Sequence, residues 1–324
     1  MTKPGSRPLL TRILFPVRHR LLLWVGVAAL VGLALPGTTV VLNALVPVFL
    51  AGQVLGLALN LTPGEIRAAG RSLHLVGLAL LCQWTLLPGL GLLLHMVAPT
   101  PVLAAGILIV AISPAEITSG LMATIAGGDT AIATACMAGS LALSIVLTPL
   151  WLSIGLGARA HFSPVSLASE LLLSVLLPLL VGVGLRARFP RLGRWRHHYL
   201  DFSAACLVLV VLAGTASARP VLLSPAIFAT VGLVVALLVG GGVVGLGLGS
   251  LLHLPHRQAA AIGFPMGIRE FGVAIAVSVA VMPRASAVGG IYGIVMVAAA
   301  GTLATRLGHR VDRPPKTAGT NGQW

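Results

Sequence analysis

From Leu73 to Val97, and again from Thr130 to Leu156, the chain runs through helix-length stretches that hold no Asp, Glu, Lys or Arg. A bilayer core about 30 Å thick is crossed by about 20 apolar residues in a helix. In lipid, every backbone N–H and C=O must also be paired internally. The sequence therefore predicts an all-α polytopic membrane protein. Composition agrees: only 9% of the 324 residues are charged, against about 25% in a soluble domain. The net charge of +14 would suit nucleic acid, but the basic residues sit at segment ends and in a few loops, as membrane topology requires. No nucleic-acid partner is expected.

Ten apolar segments are read, at 21–36, 40–59, 73–97, 101–126, 130–156, 164–185, 200–218, 222–251, 257–282 and 286–305. Proline, glycine and charge separate them, as at Pro36-Gly37, Thr62-Pro63-Gly64, Gly127-Gly128-Asp129, Arg219-Pro220 and Pro283-Arg284. With the N-terminus inside, the outer loops hold only Arg159, Arg219 and Arg284; apart from Arg269, all other lysines and arginines fall on the inner side. That bias predicts an inner-membrane protein with both termini cytoplasmic. Residues 1–20 form an N-terminal tail, 21–156 a first five-helix repeat, 157–306 a second, and 307–324 a disordered tail. The apolar run from Leu21 lacks a small-residue cleavage pattern near Leu35-Pro36-Gly37 and is read as the first span, not a signal peptide.

An odd number of spans per half places the halves in opposite orientation, the inverted-repeat plan of many secondary transporters. That plan predicts interrupted helices at matching positions. The fourth segment contains Ser113-Pro-Ala-Glu-Ile-Thr-Ser-Gly120 and the ninth Phe264-Pro-Met-Gly-Ile-Arg-Glu-Phe-Gly272. Both read Pro-x-x-Ile followed by two polar residues. Two crossing discontinuous helices would bring four half-helix ends together, with N–H ends favouring anions and C=O ends favouring cations. Arg269 and Glu270 are the only charged side chains between Gln258 and Met282. A charge at the centre of a membrane helix costs about 2.5–3.5 kcal/mol on insertion scales, so protein partners or a watery cavity must solvate it. We expect Arg269 between Glu116 and Glu270, either as a static salt bridge pinning the crossing or as part of ion or substrate handling.

Other polar residues read more simply. Gln83, in mid-span, suits an interhelical hydrogen bond. Asp129 suits an N-cap, and Pro88, Pro149 and Pro178 suit kinks at helix contacts. Cys82, Cys136 and Cys206 lie in apolar stretches without disulfide or zinc spacing and are read as buried thiols. His197-His198 and His253-x-x-His256 lack further ligands, so no metal is expected.

The run from Ser113 through Gly127-Gly-Asp129 to Leu147-Thr-Pro149 resembles the bile acid:sodium symporter family, whose members read roughly Cys-Pro-Gly-Gly-Thr-Ala-Ser-Asn, then Gly-Asp or Gly-Asn, then a helix ending Leu-Thr-Pro. Gln83-Trp84 with Pro88 resembles the family's third-span motif, and Gly267 and Gly272 fall on ninth-span glycines. The resemblance implies a panel domain of helices 1, 2, 6 and 7 and a core of helices 3, 4, 5, 8, 9 and 10. It implies a small organic anion bound between them by alternating access, at Glu116, Ile117, Thr118, Pro265, Met266 and Glu270. It also locates the ion site at Gln83, Glu116, Ser119, Gly120, Arg269 and Glu270, where this chain departs from the pattern. Ser119 and Gln83 are kept. The first site's asparagine becomes Gly120, its serine Ala133 and its threonine Met137. The glutamate shared by both sites becomes Pro265, the second site's glutamine becomes Arg269, and the neighbouring asparagine becomes Glu270. An arginine there would repel a cation at low dielectric. Sodium-independent transport is therefore expected, with Arg269 standing in for the cation and either proton coupling or facilitated diffusion.

The alternatives are a sodium-coupled symporter with an altered ion site, an arsenite-type exporter, and a non-transporting sensor or anchor. The second lacks a cysteine near the fourth-span break, and the third lacks any soluble domain. Enzyme activity is not expected, since no nucleophile–base pair falls within the spans. Beyond solute and lipid, no cofactor is expected. Oligomeric state stays open, a monomer included.

Overall fold

A computed structural model describes residues 21–61, 64, 72–157 and 162–311, without the side chains of 22, 38–40 and 308–311. The N-terminal tail, the break at Thr62-Pro63, the loop around Arg159 and residues 312–324 lie outside the described residues. Among the described residues the elements are helices, joined by one isolated antiparallel bridge between Ala115 and Arg269.

In chain order the helices are α1 (Leu21–Ala34), α2 (Val46–Ala58, entered through a 3₁₀ stretch), α3 (Leu73–Val97), α4 (Pro101–Ala111), α5 (Ser119–Ile125) and α6 (Thr130–Leu156). There follow α7 (Pro164–Arg188, with a π turn at Leu172–Leu176), α8 (Arg196–Leu222), α9 (Ala226–Leu251), α10 (His256–Gly267), α11 (Phe271–Val281) and α12 (Ser286–Val311). Seven helices among the described residues are long and apolar enough to cross a membrane. The remaining helices named are shorter: α1 and the interrupted pairs α4/α5 and α10/α11, of which α1, α4 and α11 are apolar.

The helix ends follow local chemistry. Asp129 caps α6, accepting from the N–H groups of Ala131 at 3.0 Å and Ile132 at 3.3 Å, and it pairs with Arg257 at 3.3 Å. Thr100 and Ser163 cap α4 and α7, each with proline at the first helical position. Proline inside α3 leaves the carbonyl of Trp84, four residues before Pro88, without its helical donor, and the indole of Trp151 supplies one at 3.0 Å. Two boundaries differ from the sequence reading. The break expected at Arg219-Pro220 falls instead between α8 and α9, because Pro220 sits in the last turn of α8 and the chain first leaves the helix at Leu223. The final helix continues to Val311, so 307–311, expected in a disordered tail, are helical; no proline interrupts the chain until Pro314.

Packing relies on close backbone approach, the usual adhesive between helices that lipid surrounds. α1 and α2 pack on α8, and α2 on α7. A Cβ on Gly56 would sit 2.7 Å from the Tyr199 carbonyl. α9 packs along α10, where a Cβ on Gly245 would sit 2.3 Å from the Gly263 carbonyl. α11 bridges these two groups, touching α12 on one side and α2 and α8 on the other. α5 and α10 pack on each other and on α6, which leaves Leu121 and Ile125 of α5 exposed.

Candidate functional site

The α4/α5 and α10/α11 breaks cross and hydrogen-bond to one another. The N–H of Glu116 donates to the Ile268 carbonyl at 3.1 Å, and that of Glu270 to the Pro114 carbonyl at 2.9 Å. Proline and glycine free backbone groups from the helices, and buried backbone needs partners. The Ala115 N–H donates to Ser140 Oγ at 2.9 Å, the Arg269 N–H to the Tyr292 hydroxyl at 2.9 Å, and Thr148 Oγ1 to the Ile112 carbonyl at 3.0 Å.

The register of this bridge decides where the charges go. Side chains of extended backbone alternate between faces. With Ala115 opposite Arg269, both of their side chains share one face, while Glu116 and Glu270 share the other. The guanidinium of Arg269 turns into a cage of carbonyls. Nη1 donates to Ser113 at 3.3 Å, and Nη2 donates to Pro265 at 3.1 Å and to Met266. Oriented to give both amide atoms suitable partners, Gln83 presents its oxygen to Arg269 Nη1 at 2.9 Å and also accepts from the Ser140 hydroxyl. Arg269 is 1% exposed, one of the largest fully buried side chains among the described residues.

On the opposite face the Glu116 and Glu270 carboxyl groups adjoin. Glu270 Oε1 accepts from Gln53 Nε2 at 3.0 Å and from the Gly272 N–H at 3.1 Å, and its Oε2 accepts from the Ile117 N–H at 3.3 Å. Gln53 belongs to α2, so this face of the bridge looks toward the α1–α2–α7–α8 group. Glu116 Oε1 accepts only from the Thr118 N–H and hydroxyl, at 3.4 and 3.3 Å. Glu116 Oε2, Gln53 Oε1 and Ser119 Oγ are buried without a hydrogen-bond partner.

The expected placement of Arg269 between Glu116 and Glu270 is therefore corrected. Among the described residues it makes no ion pair with either, because the one-residue offset along the extended break sends neighbouring side chains to opposite faces. Pro265 and Met266, expected at the substrate, offer their carbonyls to Arg269 instead. Gln83 also lies on the Arg269 face. Ile117 and Thr118 are half-buried beside the carboxylates, while Ser119 and Gly120 are buried at the start of α5. Ala133 and Met137 lie in the apolar core. Sequence reasoning missed Gln53, Ser140 and Tyr292. Gln53 carried a usable signal, as the one amide in an otherwise apolar helix.

A family model for the sodium bile acid symporter family matches residues 47–254, well over half of the chain. The chain belongs to that family. This symporter-family chain is similar to the uncharacterized sodium-dependent transporter YocS of Bacillus subtilis, 27% identical over 272 residues that cover 82% of this chain and 83% of that protein. It is also similar to the probable sodium/metabolite cotransporter BASS2, chloroplastic, of Oryza sativa, 29% identical over 180 residues, or 55% of this chain and 42% of that protein. A third relative is the probable sodium/metabolite cotransporter BASS4, chloroplastic, of Arabidopsis thaliana, 30% identical over 161 residues, or 47% and 34%. The matches thus span less than half of the two plant proteins. Membership places this chain among membrane transporters.

Proposed function

We propose that this protein is a sodium-independent secondary transporter of a small organic solute, working by alternating access at the crossed helix breaks. The observation that carries this reading is the caged guanidinium of Arg269. Its carbonyl partners, Pro265, Met266 and Ser113, together with the Gln83 oxygen, are hard oxygen ligands of the kind that sodium takes. A tethered cation already occupies them, and a second cation would meet strong repulsion at low dielectric. The other positions where the resemblance implies sodium ligands hold Gly120, Ala133, Met137 and Pro265.

In this reading the chain forms ten spans in two inverted five-helix repeats, with both termini cytoplasmic in the inner membrane. Helices α1, α2, α7 and α8 form the panel, and the remainder the core; the packing of α1 and α2 on α8, and of α9 on α10, supports that division. The polar contact between Gln53 and Glu270 joins panel to core and must break when one moves past the other. A positive charge between Glu116 and Glu270, most simply a proton, would replace sodium as the coupling ion. The resemblance implies an anionic solute, whereas the panel-facing side of the bridge carries two carboxylates and no cation.

Equilibrium binding of radioactive sodium to purified protein tests the sodium reading, with potassium as the balancing salt. No saturable binding is expected, and saturable binding would overturn it. Solute counterflow in proteoliposomes tests transport itself: flux in protein-free vesicles matching that in loaded ones, across organic acids and amines, sinks the transporter reading.

A further inference from the structure

We propose that the Glu116–Glu270 pair is the recognition site for a monocationic organic solute, and that solute and proton compete for it, so that the protein exchanges one for the other. This rests on the transport reading above and adds to it the charge class of the cargo.

The argument is one of charge and unmet acceptors. Glu116 is 4% exposed and Glu270 fully buried, and their carboxyl groups adjoin. Taking a carboxylate out of water costs several kcal/mol even after relaxation. Two in contact, both ionised, would add mutual repulsion. Among the described residues, the buried charged and titratable side chains on the elements packed around them are Arg269 and Tyr292, Cys136 on α6, and Cys206 and Asp201 on α8. Only Arg269 is positive, and its guanidinium is committed to carbonyls and Gln83 on the far face of the bridge. One guanidinium against two carboxylates leaves one negative charge uncompensated.

A second observation points to a ligand rich in donors. Gln53, 2% exposed, reaches across from α2 with its Nε2 on Glu270, and its Oε1 is left without a donor. Glu116 Oε2 and Ser119 Oγ are likewise buried without partners. An ammonium group carries one positive charge and three N–H donors and no acceptor, which meets both deficits together. A carboxylate or sulfonate brings only acceptors and a further negative charge. A proton held between the carboxyls meets the charge deficit and joins Glu116 to Glu270, but leaves Gln53 Oε1 and Ser119 Oγ unmet. As the amine enters, R–NH3⁺ displaces the acidic proton held between the carboxyls, which passes to water on the same side; charge is conserved. The pair then crosses with either passenger, and neither crosses on the other's occupancy.

Isothermal titration of the purified full-length protein tests this, with butyl-, cyclohexyl- and phenethylammonium against carboxylates of the same skeletons. We expect at least one amine to bind and no carboxylate to do so. Titration in two buffers of different ionisation enthalpy should show proton release on binding. Affinity should weaken on acidification by up to about tenfold per pH unit, while the amine itself stays protonated. Glu116→Gln and Glu270→Gln should each abolish amine binding. The wild-type pH series needs no variant, so a misfolded variant would not protect the idea. Carboxylate binding in preference to amine, binding of none of the three amines, or amine binding indifferent to pH would each overturn it. Sodium binding, or absence of counterflow, would instead strike at the underlying transport reading and leaves a distinct signature.

Discussion

Arg269 and Glu270 are neighbours in the chain, yet the guanidinium ends among carbonyl oxygens while the carboxylate ends beside another carboxylate. On the Arg269 face both terminal nitrogens have acceptors and only Nε lacks one. On the Glu116–Glu270 face the donors run out before the acceptors do. The comparison teaches that a buried ion at a helix break can serve opposite ends. A charge whose terminal nitrogens are both partnered by its own fold fixes the crossing. A charge whose partners are missing awaits something that comes and goes.

The largest effect that would test this contrast is loss of the guanidinium. Arg269→Met leaves the Ser113, Pro265 and Met266 carbonyls without a donor and takes one of the donors from the Gln83 oxygen. Each orphaned acceptor costs about 1–3 kcal/mol, so destabilisation of about 3 kcal/mol or more is expected in thermal denaturation of the purified protein. Arg269→Lys should recover part of it, since an ammonium keeps the charge but not the fork. If the methionine variant melts with the wild type, the cage is not a structural element. Gln83→Leu attacks the same face through two interhelical bonds, to Arg269 and to Ser140, and about 0.6–2 kcal/mol is expected for each, the usual range in membranes.

On the opposite face the sign should reverse. Glu116→Gln keeps the shape, removes the second buried carboxyl and brings an amide that can donate to Glu270. Stability should rise by about 1 kcal/mol, even as solute exchange is lost. A fall in melting temperature like that of Arg269→Met would mean that the two faces are one network after all.

Much of this was readable from the residues. The bounds of α3 and α6 coincide with apolar runs that end at a proline-rich turn and an aspartate cap. The two breaks follow from Pro114 and Pro265 with their glycines, because local backbone chemistry acts over a few residues. The faces were not readable. Whether Arg269 meets Glu116 depends on which residue stands opposite it across a bridge joining positions 154 apart in the chain, and a shift of one residue exchanges the faces. Gln53 and Tyr292 were passed over for a related reason. A polar group in an apolar run announces that it has a partner, and says nothing of which one.

The smallest expected effect concerns the contact between panel and core. A methyl on Gly272 would lie 2.8 Å from Gln53 Oε1 and 2.9 Å from Glu270 Oε1. Both are side-chain ends that can move, so Gly272→Ala should cost only about 1 kcal/mol, the low end for overpacking. The displaced amide should nevertheless lose its bond to Glu270, which Gln53→Ala removes outright. If that bond is what Gly272 protects, the two substitutions should be non-additive: the double variant should be no less stable than the worse single one, and should exchange solute at the same altered rate. Additive losses in both readouts would separate Gly272 from Gln53, and would leave the acidic face without a tie between panel and core of the kind that holds Arg269 within the core.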